Sequence, residues 1–132
     1  VLKNKITDTV MRQDEHHLAR PFEGLLRNAI EPSTEDVLEL AAPYIDRTFE
    51  GEAIMTVGKA VDFARKGLAG VVAVMPFTCM PGTVSNAILK CIREDAEDIP
   101  FLNMVYDGLE QSTALTRLEA FVHQAEAFAN RS

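Results

Sequence analysis

The stretch GVVAVMPFTCMPG, residues 70–82, decides how this chain folds. Its first part, residues 70–75, is a continuous apolar run rich in β-branched residues, which predicts a strand buried on both faces. Proline has no amide donor for a central strand or a helix interior, so this strand must end near Pro76, and Gly82 marks the next boundary. Cys79 is therefore predicted to lie in a turn.

The spacing of apolar residues predicts helices on either side of this strand. Before it, apolar residues step by three and four from Ile54 to Leu68, and Gly67 is the expected C-cap. The helix after it, from Thr83, has one apolar stripe: Val84, Ala87, Ile88, Cys91 and Ile92. A second strand is predicted over residues 100–105. The last helix has its own stripe: Leu115, Leu118, Val122, Ala125 and Ala129.

The N-terminal third is predicted to be helical and broken by proline. One set of apolar residues recurs at helical spacing: Leu18, Phe22, Leu25, Leu26 and Ile30. Pro21 should bend or restart that helix, and Glu31 with Pro32 should end it. Ser33 is a good N-cap for a short helix that has a second apolar face: Val37, Leu40, Ala41, Tyr44 and Ile45.

The predicted order, α-β-α-β-α, defines an α/β fold class. Strands that alternate with helices pair in parallel through right-handed crossovers, so helices should cover the faces of the sheet. We predict a single α/β domain over residues 1–132, with a helical lead-in at 1–50 and a βαβα core at 51–132. Two strands alone make a poor sheet, and the chain opens on valine, so we expect a fragment of a larger protein.

Composition excludes several classes of function. The chain has 132 residues, 47% of them hydrophobic, which suits one domain with a real core. Its net charge of −7 disfavours a nucleic-acid partner, since phosphate binding needs clustered Lys and Arg. The apolar runs are shorter than a membrane span, and no signal peptide opens the chain. Two cysteines fit a reducing compartment, so we expect a soluble cytoplasmic protein without a membrane partner.

The predicted fold brings two loops to one edge of the sheet. In a parallel sheet, the loops that leave the C-terminal ends of adjacent strands lie together, and ligands bind in the crevice between them. Here one loop carries Cys79 and the other carries Asp107 and Gly108. The N-terminus of the following helix points at the Cys79 loop, and its dipole favours a thiolate over a thiol. A thiolate is what a metal or an electrophile would need.

Each of these residues also has a purely structural explanation. A free cysteine is commonly a small buried hydrophobe, which is the interpretation we adopt for Cys91, whereas for Cys79 the residues alone leave both interpretations open. Asp107 and Gly108 form an ordinary turn pair, and Glu52 suits the first turn of its helix. The chain has no GxGxxG motif, phosphate loop or nucleophile elbow, and no catalytic residue is identified.

Two segments nevertheless resemble a known family. They are GEAIMTVGKAVDFARKGLAGVVAVMPFTCMPGTVSNAILK and IPFLNMVYDGLEQSTALTRLEAFVHQ. They are similar to the C-terminal part of the CoA-substrate-specific enzyme activases, which are related to the 2-hydroxyacyl-CoA (2-hydroxyglutaryl-CoA) dehydratase subunits. The resemblance is strongest over residues 51–124. Its specific motifs are the proline-flanked PFTCMPG loop and the YDG…TRLEAFV segment.

This resemblance implies a flavodoxin-like domain in which Cys79 is one ligand of a [4Fe-4S]-type cluster. Dehydratases of this family, which belong to anaerobic metabolism, pass a low-potential electron to a 2-hydroxyacyl-CoA thioester. The resulting ketyl radical then loses its hydroxyl group, and an ATP-hydrolysing iron–sulfur activator supplies the electron. The other cluster cysteines and any ATPase segment are missing from this chain. A cubane takes four thiolates, so the cluster would have to be completed from outside it.

Three functional hypotheses follow. In the first, the chain is a domain of such an activase or dehydratase-like protein, and its partners are other domains of the same polypeptide or a dehydratase or activator subunit, with acyl-CoA bound in the parent. The expected crevice around the Cys79 thiolate comprises Pro76, Phe77, Pro81, Gly82, Asp107, Gly108 and Glu52. In the second, the chain is a non-catalytic docking or regulatory domain without a cluster. In the third, Cys79 is the nucleophile of a thiol enzyme, which the lack of a nearby histidine in motif spacing disfavours.

Overall fold

A computed structural model describes residues 2–22, 24–25, 30–49, 51–108 and 113–131. Leu26 of the predicted N-terminal stripe and residues 109–112 of the second loop lie outside these ranges. The chain divides into two compact units, Val1–Ser33 and Thr34–Ser132. Everything that bears on the Cys79 loop lies in the second unit.

The first unit consists of one long helix and a short helical turn. Helix α1 spans Leu2–Ala19 and is followed by a 3-10 turn, Arg20–Phe22. The change in helix type falls at Pro21, because a proline ring clashes with the preceding turn of an α-helix. Ala19 is buried. The other described members of the predicted stripe are exposed: Leu18, Phe22, Leu25 and Ile30.

The second unit begins with two helices that pack closely. Helix α2 spans Thr34–Ala41 and packs against helix α3, Ala53–Arg65. Gly58 of α3 permits this contact, since a Cβ atom there would lie 2.1 Å from the carbonyl oxygen of Val37. Helix α3 ends as predicted, with Gly67 just past the C-cap at a positive φ of 67°.

The sheet confirms the predicted α/β fold class. Strand β1, Val71–Pro76, pairs in parallel with strand β2, Phe101–Tyr106, and helix α4, Met80–Asp95, forms the crossover of this β-α-β unit. Both strands begin one residue later than predicted. Val71 lies opposite Phe101, and the register continues without a bulge to Pro76 opposite Tyr106.

The prediction that β1 is buried on both faces is wrong. Ala73 packs on the core that α2, α3 and α4 form, but Val72 and Val74 on the opposite face are 39% and 65% exposed. Helix α5, Ala114–Ala129, packs chiefly against β2, and its Phe121 ring lies beside Gly70, directly before β1. The outer face of β1 is therefore open among the described residues.

Helix α4 begins earlier than predicted, and it buries the predicted stripe only in part: Ile92 is buried, and Val84 and Ile88 are partly buried against the core. It starts at Met80 and not at Thr83, because Pro81 fits the first turn, where a helix needs no amide donor. The buried residues of α4 are Ser85, Leu89 and Ile92. Cys91 is exposed, so the prediction that it is a buried hydrophobe is wrong.

Helix α5 also presents a face that differs in part from the predicted one. Leu118 and Ala125 are half-buried as expected, whereas Leu115 and Val122 are 68% and 51% exposed. The ring of Phe121 packs against Gly70, since a Cβ atom on Gly70 would lie 2.7 Å from the Cζ atom of Phe121. Within the described ranges, no helix is both long and apolar enough to cross a membrane.

Candidate functional site

The structure brings the two predicted loops to the same edge of the sheet. Strands β1 and β2 are adjacent and parallel, so their C-terminal ends lie side by side. The first residue after β1 is tied to the end of β2, because the Phe77 amide donates to the carbonyl oxygen of Tyr106 at 2.7 Å. The loop of Cys79 and the turn of Asp107 therefore start from neighbouring points.

Cys79 is the N-cap residue of α4. Its backbone is extended (φ −69°, ψ 106°), and its Sγ atom accepts the amide of Gly82 at 3.4 Å. Its carbonyl oxygen accepts the amide and the hydroxyl of Thr83, both at 3.0 Å. The thiol thus occupies the place that a serine or aspartate side chain usually takes at a helix start. It is only partly buried, so it remains within reach of another group.

Gly82 stands where the start of α4 leaves little space for a side chain. A Cβ atom on Gly82 would lie 2.4 Å from Sδ and 3.0 Å from Cβ of Met75, and 3.3 Å from Sγ of Cys79. The Met75 sulfur is itself held by Asn86, whose side-chain amide donates to it at 3.5 Å. Met75 and Asn86 thus pack against the first turn of α4, whose Gly82 amide donates to the thiol.

Thr78 carries backbone strain directly before Cys79. Its φ of 65° lies in the left-handed region, which a β-branched side chain rarely adopts. Such a conformation costs roughly 1–3 kcal/mol and persists only where the surroundings impose it. Here the turn is closed by the Cys79 amide, which donates to the carbonyl oxygen of Pro76 at 3.2 Å.

Apolar residues flank the thiol on both sides along the chain. Phe77 is 65% exposed and Met80 is 71% exposed, although both are large hydrophobic residues. Pro76 closes β1, and Pro81 stands in the first turn of α4. The prolines fix the path of the loop, and the two exposed side chains leave an apolar surface next to Cys79.

Glu52 lies at the same edge, at the start of the neighbouring helix. It is the N-cap of α3 and makes no side-chain capping hydrogen bond, whereas the sequence placed it in the first turn. The preceding Gly51 lies beside the loop, since a Cβ atom there would be 3.9 Å from Cγ of Pro81. The starts of α3 and α4 are therefore close together, and Glu52 is exposed.

Asp107 and Gly108 directly follow β2, at the same edge of the sheet as the Cys79 loop. Both are exposed, and Gly108 has a φ of 86°, so a glycine suits the turn. The chain from 109 to 112 lies outside the described residues, so the wall expected from this loop is defined only up to Gly108.

The described residues do not provide the ligands of a complete iron–sulfur cluster. They contain no group of three or more His, Cys, Asp and Glu side chains that is suited to a metal ion. Cys91, the other cysteine of the chain, lies three turns further along α4 and is exposed there. The site therefore offers one thiol, and a cubane needs further thiolates from elsewhere.

Sequence reasoning missed the residues that support the thiol from below. The sequence does not identify Met75 or Asn86 as part of the site, although both pack beside Gly82 at the first turn of α4. A glycine three residues after an N-cap cysteine was the available signal. The contact of Gly82 with Met75 depends on how α4 packs against β1, which the sequence alone does not give.

Comparison with known proteins adds no relationship: no protein-family model, no curated protein and no solved structure matches this chain.

Proposed function

We propose that this chain is a domain of an iron–sulfur CoA-substrate enzyme activase or 2-hydroxyacyl-CoA dehydratase-like protein. In this proposal Cys79 gives one thiolate to a [4Fe-4S]-type cluster, and the remaining ligands come from other domains of the polypeptide or from a partner subunit. A bound cluster of this type supplies a low-potential electron. The chain's own part is to present the thiolate, and acyl-CoA would bind to the parent protein.

The observation that supports this proposal is the position of Cys79. It stands at the carboxyl edge of a parallel sheet, partly exposed, at the N-terminus of a helix whose Gly82 amide points at Sγ. Amide donors and the positive end of a helix dipole both stabilise a thiolate. The exposed Phe77 and Met80 leave an apolar surface next to the thiol. A partner that covered this surface would also exclude water from the sulfur.

The test is metal analysis on the longest natural version of the polypeptide, purified without oxygen. Iron, acid-labile sulfide and the visible spectrum are measured for the wild type, for Cys79→Ser and for Cys91→Ser as the matched control. We expect Cys79→Ser to lower iron content and absorbance, and Cys91→Ser to leave both unchanged. Unchanged iron and absorbance in Cys79→Ser would refute the ligand role.

A second candidate function is a docking or regulatory domain without a cluster. It is favoured by the single thiol at the edge, because the described residues contain no group of three or more His, Cys, Asp and Glu side chains suited to a metal ion. In that case the wild-type protein would be colourless and folded, and Cys79 would serve only as the N-cap of α4. The exposed apolar residues next to it would then be the contact surface for the partner.

A further inference from the structure

The outer edge of β1 carries backbone groups that face away from β2. In a parallel ladder, successive residues direct their amide and carbonyl groups alternately towards the partner strand and away from it. The amides of Val71 and Phe77 donate to the carbonyl oxygens of Pro100 and Tyr106 on the β2 side. Val72 and Val74, which alternate with them, therefore point their amide and carbonyl groups outwards.

The outer edge of β2 is protected, in contrast. The guanidinium group of Arg117 on α5 donates to the carbonyl oxygen of Asn103, which lies on that edge. A charged side chain over an edge strand is a common device against pairing with another chain. Residues 70–77, by contrast, include no ionisable side chain of their own.

The side chains beside the open edge are apolar and accessible. Val72 and Val74 share one face of β1 and are 39% and 65% exposed. A flat, uncharged strand edge with exposed β-branched residues is a template for strand addition. The groups that complement it are those of another extended backbone, because donors and acceptors alternate along it.

We propose that β1 pairs antiparallel with β1 of a second copy of this chain, across a two-fold axis at Ala73. Val72 then lies opposite Val74 of the copy, and each such pair exchanges two backbone hydrogen bonds. The result is one continuous sheet of strand order β2-β1-β1-β2. A sheet of this size is typical, whereas a two-stranded sheet is marginal by itself.

A second copy fits this edge for three reasons. The segment Val72-Ala73-Val74 is symmetric in sequence, so the same residues complement each other in an isologous interface. Pro76 lacks an amide donor, which disfavours registers that extend the pairing past it. The net charge of −7 does not oppose contact at the strands themselves, because residues 70–77 are uncharged.

The test is the mass of the protein in solution by sedimentation velocity over a wide range of concentration. We expect a concentration-dependent species of twice the chain mass of 14.6 kDa. Higher salt should strengthen it, because salt screens the repulsion between two acidic chains. A wild-type protein that stays monomeric at its highest soluble concentration overturns the proposal.

Substitutions at Val74 test the site of contact. Val74→Pro removes an outward amide and leaves the β1–β2 ladder intact, so the dimer dissociation constant should rise about tenfold or more. Val74→Lys alters no backbone group and sets like charges near the axis, so it decides the question if the proline variant fails to fold. Val74→Thr is the matched control and should dimerise like the wild type. Equal dimerisation of all variants would place the contact elsewhere and refute the proposal.

Amide hydrogen exchange gives an independent readout. The Val72 and Val74 amides should become protected as protein concentration rises, while the Val71 amide, bonded to β2, stays protected throughout. Exchange at Val72 and Val74 that does not depend on concentration contradicts pairing at this edge. The inference does not depend on a metal at Cys79, and Cys79→Ser should dimerise normally.

Discussion

The two cysteines of this chain stand at opposite ends of α4, and their surroundings differ in almost every respect. Cys79 caps the helix, accepts the Gly82 amide and lies beside the ends of both strands. Cys91 is exposed in the last turns of α4, near a hydrogen bond from the Tyr44 hydroxyl to Asp95 of 2.7 Å. The comparison teaches that the place on a helix, and not the residue type, decides whether a thiol is held in a defined geometry.

The largest change should come from filling the space that Gly82 leaves beside Cys79. In Gly82→Ala the new methyl group would overlap with Met75, and we expect a loss of stability of ~1–3 kcal/mol in urea unfolding. The double variant Met75→Ala/Gly82→Ala should recover part of this loss, since it removes the nearest clashing atom. A neutral Gly82→Ala would show that the first turn of α4 is not tightly packed.

The next largest change in stability should come from relieving backbone strain, and it should differ between the two ends of α4. Thr78→Gly is expected to stabilise the protein by about 1 kcal/mol, because glycine tolerates the φ of 65° that a β-branched residue resists. Asp98, beyond the other end of α4, has the same φ of 65°. Aspartate tolerates this region better than threonine, so Asp98→Gly should gain less. Thermal unfolding of both variants measures the difference, and equal gains would contradict it.

Removal of each thiol should then have unequal effects. Cys79→Ala deletes an N-cap and should cost about 0.5–1 kcal/mol, whereas Cys79→Ser supplies a better hydrogen-bond acceptor and should be neutral or stabilising. Cys91→Ala lies at an exposed position and should change stability by less than about 0.5 kcal/mol. Chemical unfolding under reducing conditions checks all three. Equal losses at both positions would mean that Cys79 does not cap α4 in solution.

The smallest effect should be a change in stability at alkaline pH, which involves Tyr44 near the Cys91 end of α4. Partial burial, and then the hydrogen bond to Asp95, raise the pKa of Tyr44 above its usual value of 10.0. A tyrosine whose pKa is higher in the folded state than in the unfolded state stabilises the folded state at pH values below its unfolded-state pKa. This contribution is lost as the pH rises through its folded-state pKa. Stability should therefore fall slightly more steeply above pH 10.0 in the wild type than in Tyr44→Phe. Identical slopes would show that the pKa of Tyr44 is not raised in the folded protein.

The sequence predicted the fold well where a local backbone requirement ends an element. Proline at 76 and glycine at 67 act through their own backbone, so the end of β1 and the end of α3 appear within a residue of the expected place. The parallel pairing of the two strands followed from the alternation of strands and helices. These features depend on chain geometry and period, which are readable without knowledge of the neighbours.

The sequence predicted burial less well, because burial depends on which elements are present to cover a face. Val72 and Val74 belong to a run that suits a doubly covered strand, yet α5 lies over β2 and leaves them exposed. Cys91 belongs to the same predicted apolar stripe as Ile92, yet α4 buries Ile92 together with Leu89, which lies outside that stripe, and leaves Cys91 exposed. Neither outcome follows from helical or strand period alone.

For the candidate site, the sequence by itself determined that Cys79 follows a strand and precedes a helix, since prolines and glycine enforce that local path. Only the tertiary structure decided that the Phe77 amide binds Tyr106, that Glu52 reaches the same edge, and that Met75 packs against Gly82. The physical reason is range: backbone preferences act within a few residues, whereas these contacts form only when distant segments pack together.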